Sequence, residues 1–174
     1  MALQAKQDSK TYRFVLSAVL CGIALALSLL DGAVSALLPL PGFKLGLANI
    51  VSLFALYYLG VPYAVMICVA RCLLASIFGG ALTMLFFSLS GGLLSIFIMR
   101  LFLTRLSIIK ISVLGGVAHN LAQLFCAVLF TSTPQVSFYL PVLCITGAVC
   151  GFFMGILGKL VFSRIQKNPL YKIN

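Results

Sequence analysis

Long apolar runs, separated by short polar or glycine-rich breaks, dominate the chain. A helix needs roughly 17 to 25 predominantly apolar residues to cross a bilayer. Runs of this kind predict transmembrane helices at 14–30, 62–78, 81–99, 111–130 and 138–162, with a shorter one at 45–59. The runs are too long and too uniformly apolar for the strands of a membrane barrel. We therefore predict an all-α, polytopic membrane protein, a six-transmembrane-helix bundle that forms a single domain over residues 1–174.

One segment interrupts this pattern. Residues 38–46 read "LPLPGFKLG", in which two prolines stop any helix and two glycines allow the backbone to turn sharply. We predict a re-entrant or capping loop on the outer side, leading into the short second helix. A helix that begins near Lys44 would place its positive N-terminal end where an anion can bind.

Composition and charge support the membrane assignment and give an orientation. The chain is 63% hydrophobic and 8% charged, with a mean hydropathy of +1.21, whereas soluble domains carry about a quarter charged residues. Basic residues remain in cytoplasmic segments, so their distribution predicts cytoplasmic N- and C-termini. The residues on that side are Lys6, Lys10, Arg13, Arg100, Arg105, Lys110, Lys159, Arg164, Lys167 and Lys172. The net charge of +10 is thus a topology signal, and we expect no nucleic-acid partner.

The sequence offers little for catalysis or metal binding. It has two acidic residues and one histidine, so paired carboxylates and an Asp-rich magnesium site are missing. Its six cysteines lie in apolar runs without zinc-ligand spacing. There is no Walker motif, so ATP hydrolysis would need another subunit. We expect a non-enzyme without a cofactor, without a metal and without catalytic residues of its own.

Polar residues inside predicted spans are the candidate binding residues. A charged group at the bilayer centre costs about 3 kcal/mol on insertion scales unless it is paired or faces water, so such residues mark functional sites. Arg71 lies about ten residues into its span, near the middle of the membrane. We predict a ligand-binding site for a small organic anion, or for a polar ring with an acidic substituent. Its residues are Lys44, Asn49, Arg71, His119, Asn120 and Gln123.

Structural roles compete with this interpretation. Arg71 could pair with Asp31 or cap backbone carbonyls, and Lys44 could extend its amine to the membrane surface from a span boundary. His119 and Gln123 share a helix face, and with Asn120 they could hold helices together.

Small residues recur at every fourth position in two spans, and such a stripe makes a flat face that another helix can approach closely. The residues are Ala18, Gly22 and Ala26 in the first span, and Gly147, Gly151 and Gly155 in the last. For the last span we predict packing within the bundle. For the first, a helix of another subunit is as reasonable a partner as an internal one.

Three motifs carry a resemblance to a known family. They are "PGFKLGLANIVSLFALYYLG", "SLSGGLLS" and "GGVAHNLAQL", together with an arginine in the helix after the first. Over about residues 14–163 the chain resembles heptaprenyl diphosphate synthase component I, also labelled the Gx transporter family. That family looks related to the S components of energy-coupling factor (ECF) transporters, six-helix proteins of the bacterial cytoplasmic membrane with cytoplasmic termini.

The resemblance implies a function and partners. S components capture vitamins or precursors from outside, and a small-residue face on their first helix docks against a transmembrane coupling subunit; Ala18, Gly22 and Ala26 match that face. The chain would be the substrate-binding subunit of an ECF-type uptake transporter in the cell membrane, working with the coupling subunit and ATPase subunits. The loop around 38–46 would close over a small, anionic vitamin or precursor, whose identity stays open.

Two alternatives remain. One is a non-catalytic membrane accessory component of a heptaprenyl (polyprenyl) diphosphate synthase. The other is a carrier that works alone on a proton or ion gradient, which the lack of carboxylates within the membrane disfavours.

Overall fold

The computed structural model describes residues 10–36, 46–80, 82–132 and 134–167. All regular structure within these residues is helical. The helices are α1 (Lys10–Ala36), α2 (Asn49–Tyr58), α3 (Val61–Phe78), α4 (Thr83–Phe102), α5 (Ile108–Thr131) and α6 (Leu140–Lys167), with a 3-10 helix at Pro134–Tyr139 before α6. Apart from Gly46, the predicted loop 38–46 lies outside the described residues, and so does Lys44.

Five of the six helices are long and apolar enough to cross a membrane. The exception is α2, which has ten residues. At 1.5 Å per residue it is about 15 Å long, half of the roughly 30 Å hydrocarbon core. The all-helical, six-helix prediction is therefore confirmed for the number of helices, but α2 is too short to span a bilayer by itself.

The two ends of α2 are set by glycines with positive φ. Gly46 (φ 73°) precedes the helix and Gly60 (φ 90°) follows it, in conformations that residues with a β-carbon rarely adopt. Pro62, in the first turn of α3, has no N–H to lose there. The chain therefore reverses within a few residues between α2 and α3.

The start of α2 differs from the sequence expectation. The helix begins at Asn49 and not near Lys44. Its first N–H groups are already bonded: Asn49 N donates to Gly46 O at 2.9 Å, and Val51 N donates to Ala48 O at 3.1 Å. The turn before α2 thus satisfies these N–H groups, and an anion-binding helix end near Lys44 stays a prediction.

The short helix lies at the centre of the bundle. It contacts all five long helices, and its buried apolar residues Val51, Leu53, Ala55 and Leu56 form part of the main core. At its far end, Tyr58 stacks on Phe162 of α6, with ring centroids 5.3 Å apart. A ten-residue helix is only marginally stable in isolation. Contacts with the five long helices therefore stabilise α2.

Close glycine contacts join α5 to α6. A β-carbon at Gly151 would lie 2.6 Å from Ser112 O, and one at Gly155 would lie 2.8 Å from Ile109 Cα. A β-carbon at Gly116 would collide with the carbonyl oxygen of Gly147. The small-residue stripe of the last span therefore packs inside the bundle, as predicted from its spacing.

The stripe on α1 is arranged differently. Ala18, Gly22 and Ala26 are exposed, and nothing lies within 4 Å of a β-carbon built at Gly22. The buried face of α1 instead includes Leu20 and Ala24. Within the described residues, the α1 stripe is thus left uncovered.

We expect Gly116→Ala to destabilise the protein by about 1–3 kcal/mol, because the new methyl group meets a backbone carbonyl that cannot rotate away. Gly22→Ala is the matched control and should cause no loss, since its methyl group enters open space. Unfolding in SDS, followed by circular dichroism, measures both. Equal midpoints for the two variants would contradict the close α5–α6 contact.

Candidate functional site

A polar pocket lies where α1, α2, α3, α4 and α5 meet. It is lined by Ser28, Asp31, Gly46, Ala48, Asn49, Arg71, Ser88 and His119. The empty space is about 250 Å³, including the part open to solvent. Its enclosed part has room for about one water molecule. Three of the predicted binding residues, Asn49, Arg71 and His119, therefore meet at one place.

Among the described lining residues, Arg71 supplies a positive charge. Its side chain is 4% exposed, Nη1 donates to Ser28 Oγ at 2.9 Å, and Nη2 lies 3.9 Å from Cys68 Sγ. Among the described residues its Nε has no hydrogen-bond partner. A guanidinium has five N–H donors, so a hydroxyl and a sulfur leave it with capacity for a further acceptor.

Asp31 brings a carboxylate to the same pocket. It is buried near the C-terminal end of α1, and its Oδ2 accepts a hydrogen bond of 2.9 Å from Gly46 N. This contact ties the turn before α2 to α1. The described lining thus contains one carboxylate and one guanidinium, whose formal charges cancel.

Asn49 contributes an amide. As the first residue of α2 it is 6% exposed, and in the described part of the chain neither its Oδ1 nor its Nδ2 has a hydrogen-bond partner. Burying such a group unpaired costs about 1–3 kcal/mol. A polar partner that enters the pocket would remove this cost.

Two adjacent glycines of α4 make room for the pocket side chains. A β-carbon at Gly91 would lie 2.8 Å from Cε1 and Nδ1 of His119. A β-carbon at Gly92 would lie 3.1 Å from Nη2 of Arg71 and would collide with Cys68 Sγ. The diglycine of "SLSGGLLS" therefore sets how far His119 and Arg71 reach towards α4.

Asn120 and Gln123 do not line this pocket. Asn120 Nδ2 donates to Leu143 O at 2.9 Å, which joins α5 to α6. Gln123 is 2% exposed, and neither end of its amide has a partner among the described residues. Asn120 thus has a packing role in this structure, whereas the role of Gln123 as a ligand-binding residue stays a prediction.

Sequence reasoning missed part of the pocket. Ser28, Asp31, Ser88, Gly91 and Gly92 were not among the predicted site residues. The available signal was the polar and glycine-rich motif "SLSGGLLS" inside a predicted span. As for metals, no group of three or more metal-ligating side chains occurs within the described ranges.

A comparison with protein families identifies the family to which the chain is similar. A family model described as heptaprenyl diphosphate synthase component I matches residues 20–161. The chain belongs to this family. The match to heptaprenyl diphosphate synthase component I confirms the resemblance seen in the sequence, and it covers all residues that line the pocket. Searches of curated proteins and of solved structures found no match.

We expect Gly91→Ala to move the imidazole of His119, because the added methyl group would lie 2.8 Å from two of its ring atoms. His119 is the only histidine in the chain, so selective histidine labelling gives one set of imidazole NMR signals. Those signals should shift in Gly91→Ala and stay in place in Gly22→Ala. Unshifted signals in Gly91→Ala would show that the ring does not lie against α4.

Proposed function

We propose that this chain is the membrane-embedded substrate-binding subunit of an ECF-type uptake transporter. The observation that carries the proposal is the polar pocket around Arg71, which lies between helices long and apolar enough to cross a membrane. A charged residue at such a depth is rare and typical of a binding site. Membership of a component I family agrees with a chain that works inside a larger complex.

The contacts of Arg71 favour ligand binding over a purely structural role. A structural guanidinium is expected to pair fully with a carboxylate or with several carbonyls. The hydrogen bonds that Arg71 makes to the described residues instead go to one hydroxyl and one sulfur. We propose that Arg71, Asn49 and His119 contact the ligand. Lys44 and Gln123 remain predicted members of the site, and Asn120 is assigned to helix packing.

The proposed mechanism is capture from the outside followed by transport driven elsewhere. The distribution of basic residues orients the chain with cytoplasmic termini and the pocket towards the outer side. A vitamin-sized ligand is larger than the enclosed space, so binding has to separate the pocket walls. The chain lacks a Walker motif, and ATP hydrolysis is therefore assigned to partner subunits.

The stripe of Ala18, Gly22 and Ala26 is the proposed docking face for the coupling subunit. Its exposure on α1 supports this role, since small-residue stripes inside membranes are normally covered by another helix. The face and the pocket lie on opposite sides of the same helix, because Ser28 and Asp31 of α1 line the pocket.

The second candidate is a non-catalytic accessory component of a polyprenyl diphosphate synthase, favoured by the family description. In that case the chain would recruit a soluble synthase to the membrane through its basic end. Arg71 and the pocket would then only stabilise the bundle. The nature of the co-purifying subunits separates the two candidates.

Arg71→Ala should abolish retention of a small molecule during gentle purification, because the guanidinium is the fixed positive group of the pocket. Native mass spectrometry measures the retained ligand, and the exposed Arg100→Ala serves as the control. The SDS unfolding midpoint should change little, since removing a poorly paired buried charge also removes its desolvation cost. Equal ligand retention in wild type and Arg71→Ala would exclude Arg71 from the site.

Gly22→Leu should abolish co-purification with a transmembrane coupling subunit and ATPases, because the bulky side chain fills the flat face. Leu157→Phe adds bulk at an exposed position of α6, away from the stripe, and should leave the complex intact. Pull-down from native membranes followed by peptide mass spectrometry identifies the partners. Recovery of a prenyl diphosphate synthase in place of ATPases would favour the second candidate.

A further inference from the structure

The amide of Asn49 has unused hydrogen-bonding capacity in both directions. Its carbonyl oxygen can accept and its NH2 group can donate, and within the described residues neither has a partner. The side chain is 6% exposed and lines the pocket. A complementary ligand therefore offers one donor and one acceptor side by side.

The position of this amide is well defined. Asn49 is held at the start of α2 by the 2.9 Å hydrogen bond from its backbone N–H to Gly46 O. Gly46 packs closely on the side chain, since a β-carbon there would lie 3.1 Å from Nδ2. Gly46 is in turn bound to Asp31. An amide held in this way selects a ligand edge of matching geometry.

The charges of the described pocket argue against a polyanion. Arg71 and Asp31 both line it, so a ligand with several negative charges would meet a carboxylate as well as a guanidinium. The unpartnered Nε of Arg71 needs only one acceptor. A carbonyl oxygen or a single carboxylate on the ligand meets that need.

We propose that the pocket binds a single planar ring with a lactam edge, meaning a ring N–H next to a ring carbonyl. The ring N–H donates to Oδ1 of Asn49, and the carbonyl accepts from Nδ2. A second carbonyl of the ring accepts from Arg71 Nε. Asparagine pairs with the edge of adenine by the same two-bond arrangement. This assignment rests on the proposed ligand-binding function of the pocket.

The small size of the pocket favours one ring over a larger ligand. Its empty space of about 250 Å³ includes the part that is open to solvent. The enclosed part holds about one water molecule. Even one ring therefore requires the walls to separate, and a larger ligand requires a larger rearrangement.

The test uses the full chain in lipid nanodiscs and three probes. Uracil has the lactam edge, N,N′-dimethyluracil has the same ring without N–H donors, and inorganic pyrophosphate represents a polyanion. We expect uracil to raise the thermal unfolding midpoint and to bind measurably by equilibrium dialysis. Dimethyluracil should bind at least about tenfold more weakly, because it leaves the amide of Asn49 unpaired.

Asn49→Leu is the informative variant because leucine has a similar size and no polar atoms. It should raise the unfolding midpoint of the ligand-free protein and abolish the shift caused by uracil. Ser52→Ala is the control: Ser52 lies one turn further along α2, is 1% exposed and also has an unpartnered polar atom among the described residues, but does not line the pocket. It should keep the response to uracil. A structural role of Asn49 would instead give a less stable variant.

Each outcome decides the lactam assignment separately from the proposed function. If uracil does not bind, if dimethyluracil binds equally well, or if only pyrophosphate binds, the lactam assignment is wrong. In each case the retention experiment with Arg71→Ala still decides whether the pocket captures a ligand at all. Uracil binding that is lost in Asn49→Leu and kept in Ser52→Ala supports both the lactam assignment and the proposed ligand-binding function.

Discussion

The need to solvate one guanidinium inside an apolar bundle explains much of this structure. Arg71 is 4% exposed, and its charge would be costly without polar neighbours. The structure supplies a serine from α1, a pocket open to a ligand or water, and a diglycine on α4 that leaves room for the group. Removing any of these neighbours leaves a less well solvated charge between apolar helices.

The short helix α2 follows from the same requirement. A helix that crossed the whole bilayer at the centre of the bundle would fill the core with apolar side chains. Because α2 begins only at Asn49, the turn before it brings the N–H of Gly46 to Asp31 and places an amide near Arg71. The rest of α2 packs as an ordinary apolar helix against the five long helices. A half-length helix thus combines a polar end with an apolar body.

Periodicity and composition predicted the fold well because the bilayer imposes a simple rule on length and polarity. Arg71 and His119 could be identified as candidates because polar residues are rare inside spans. The direction of a side chain around a helix is harder to predict, and Asn120 therefore turned out to face α6 and not the pocket. Gly91 and Gly92 were missed because their role is to be small where Arg71 and His119 need space, and only tertiary contacts reveal that.

The two faces of α1 have a thermodynamic consequence. Its inner face holds Ser28 and Asp31 of the pocket, and its outer face carries the uncovered stripe around Gly22. A rigid helix cannot move one face without the other, whereas α5 is locked to α6 by glycine contacts. Under the proposed function, the affinity for the ligand and the affinity for a partner that covers the α1 stripe are linked variables. By reciprocity, a partner that shifts α1 changes ligand binding by the same factor as the ligand changes partner binding.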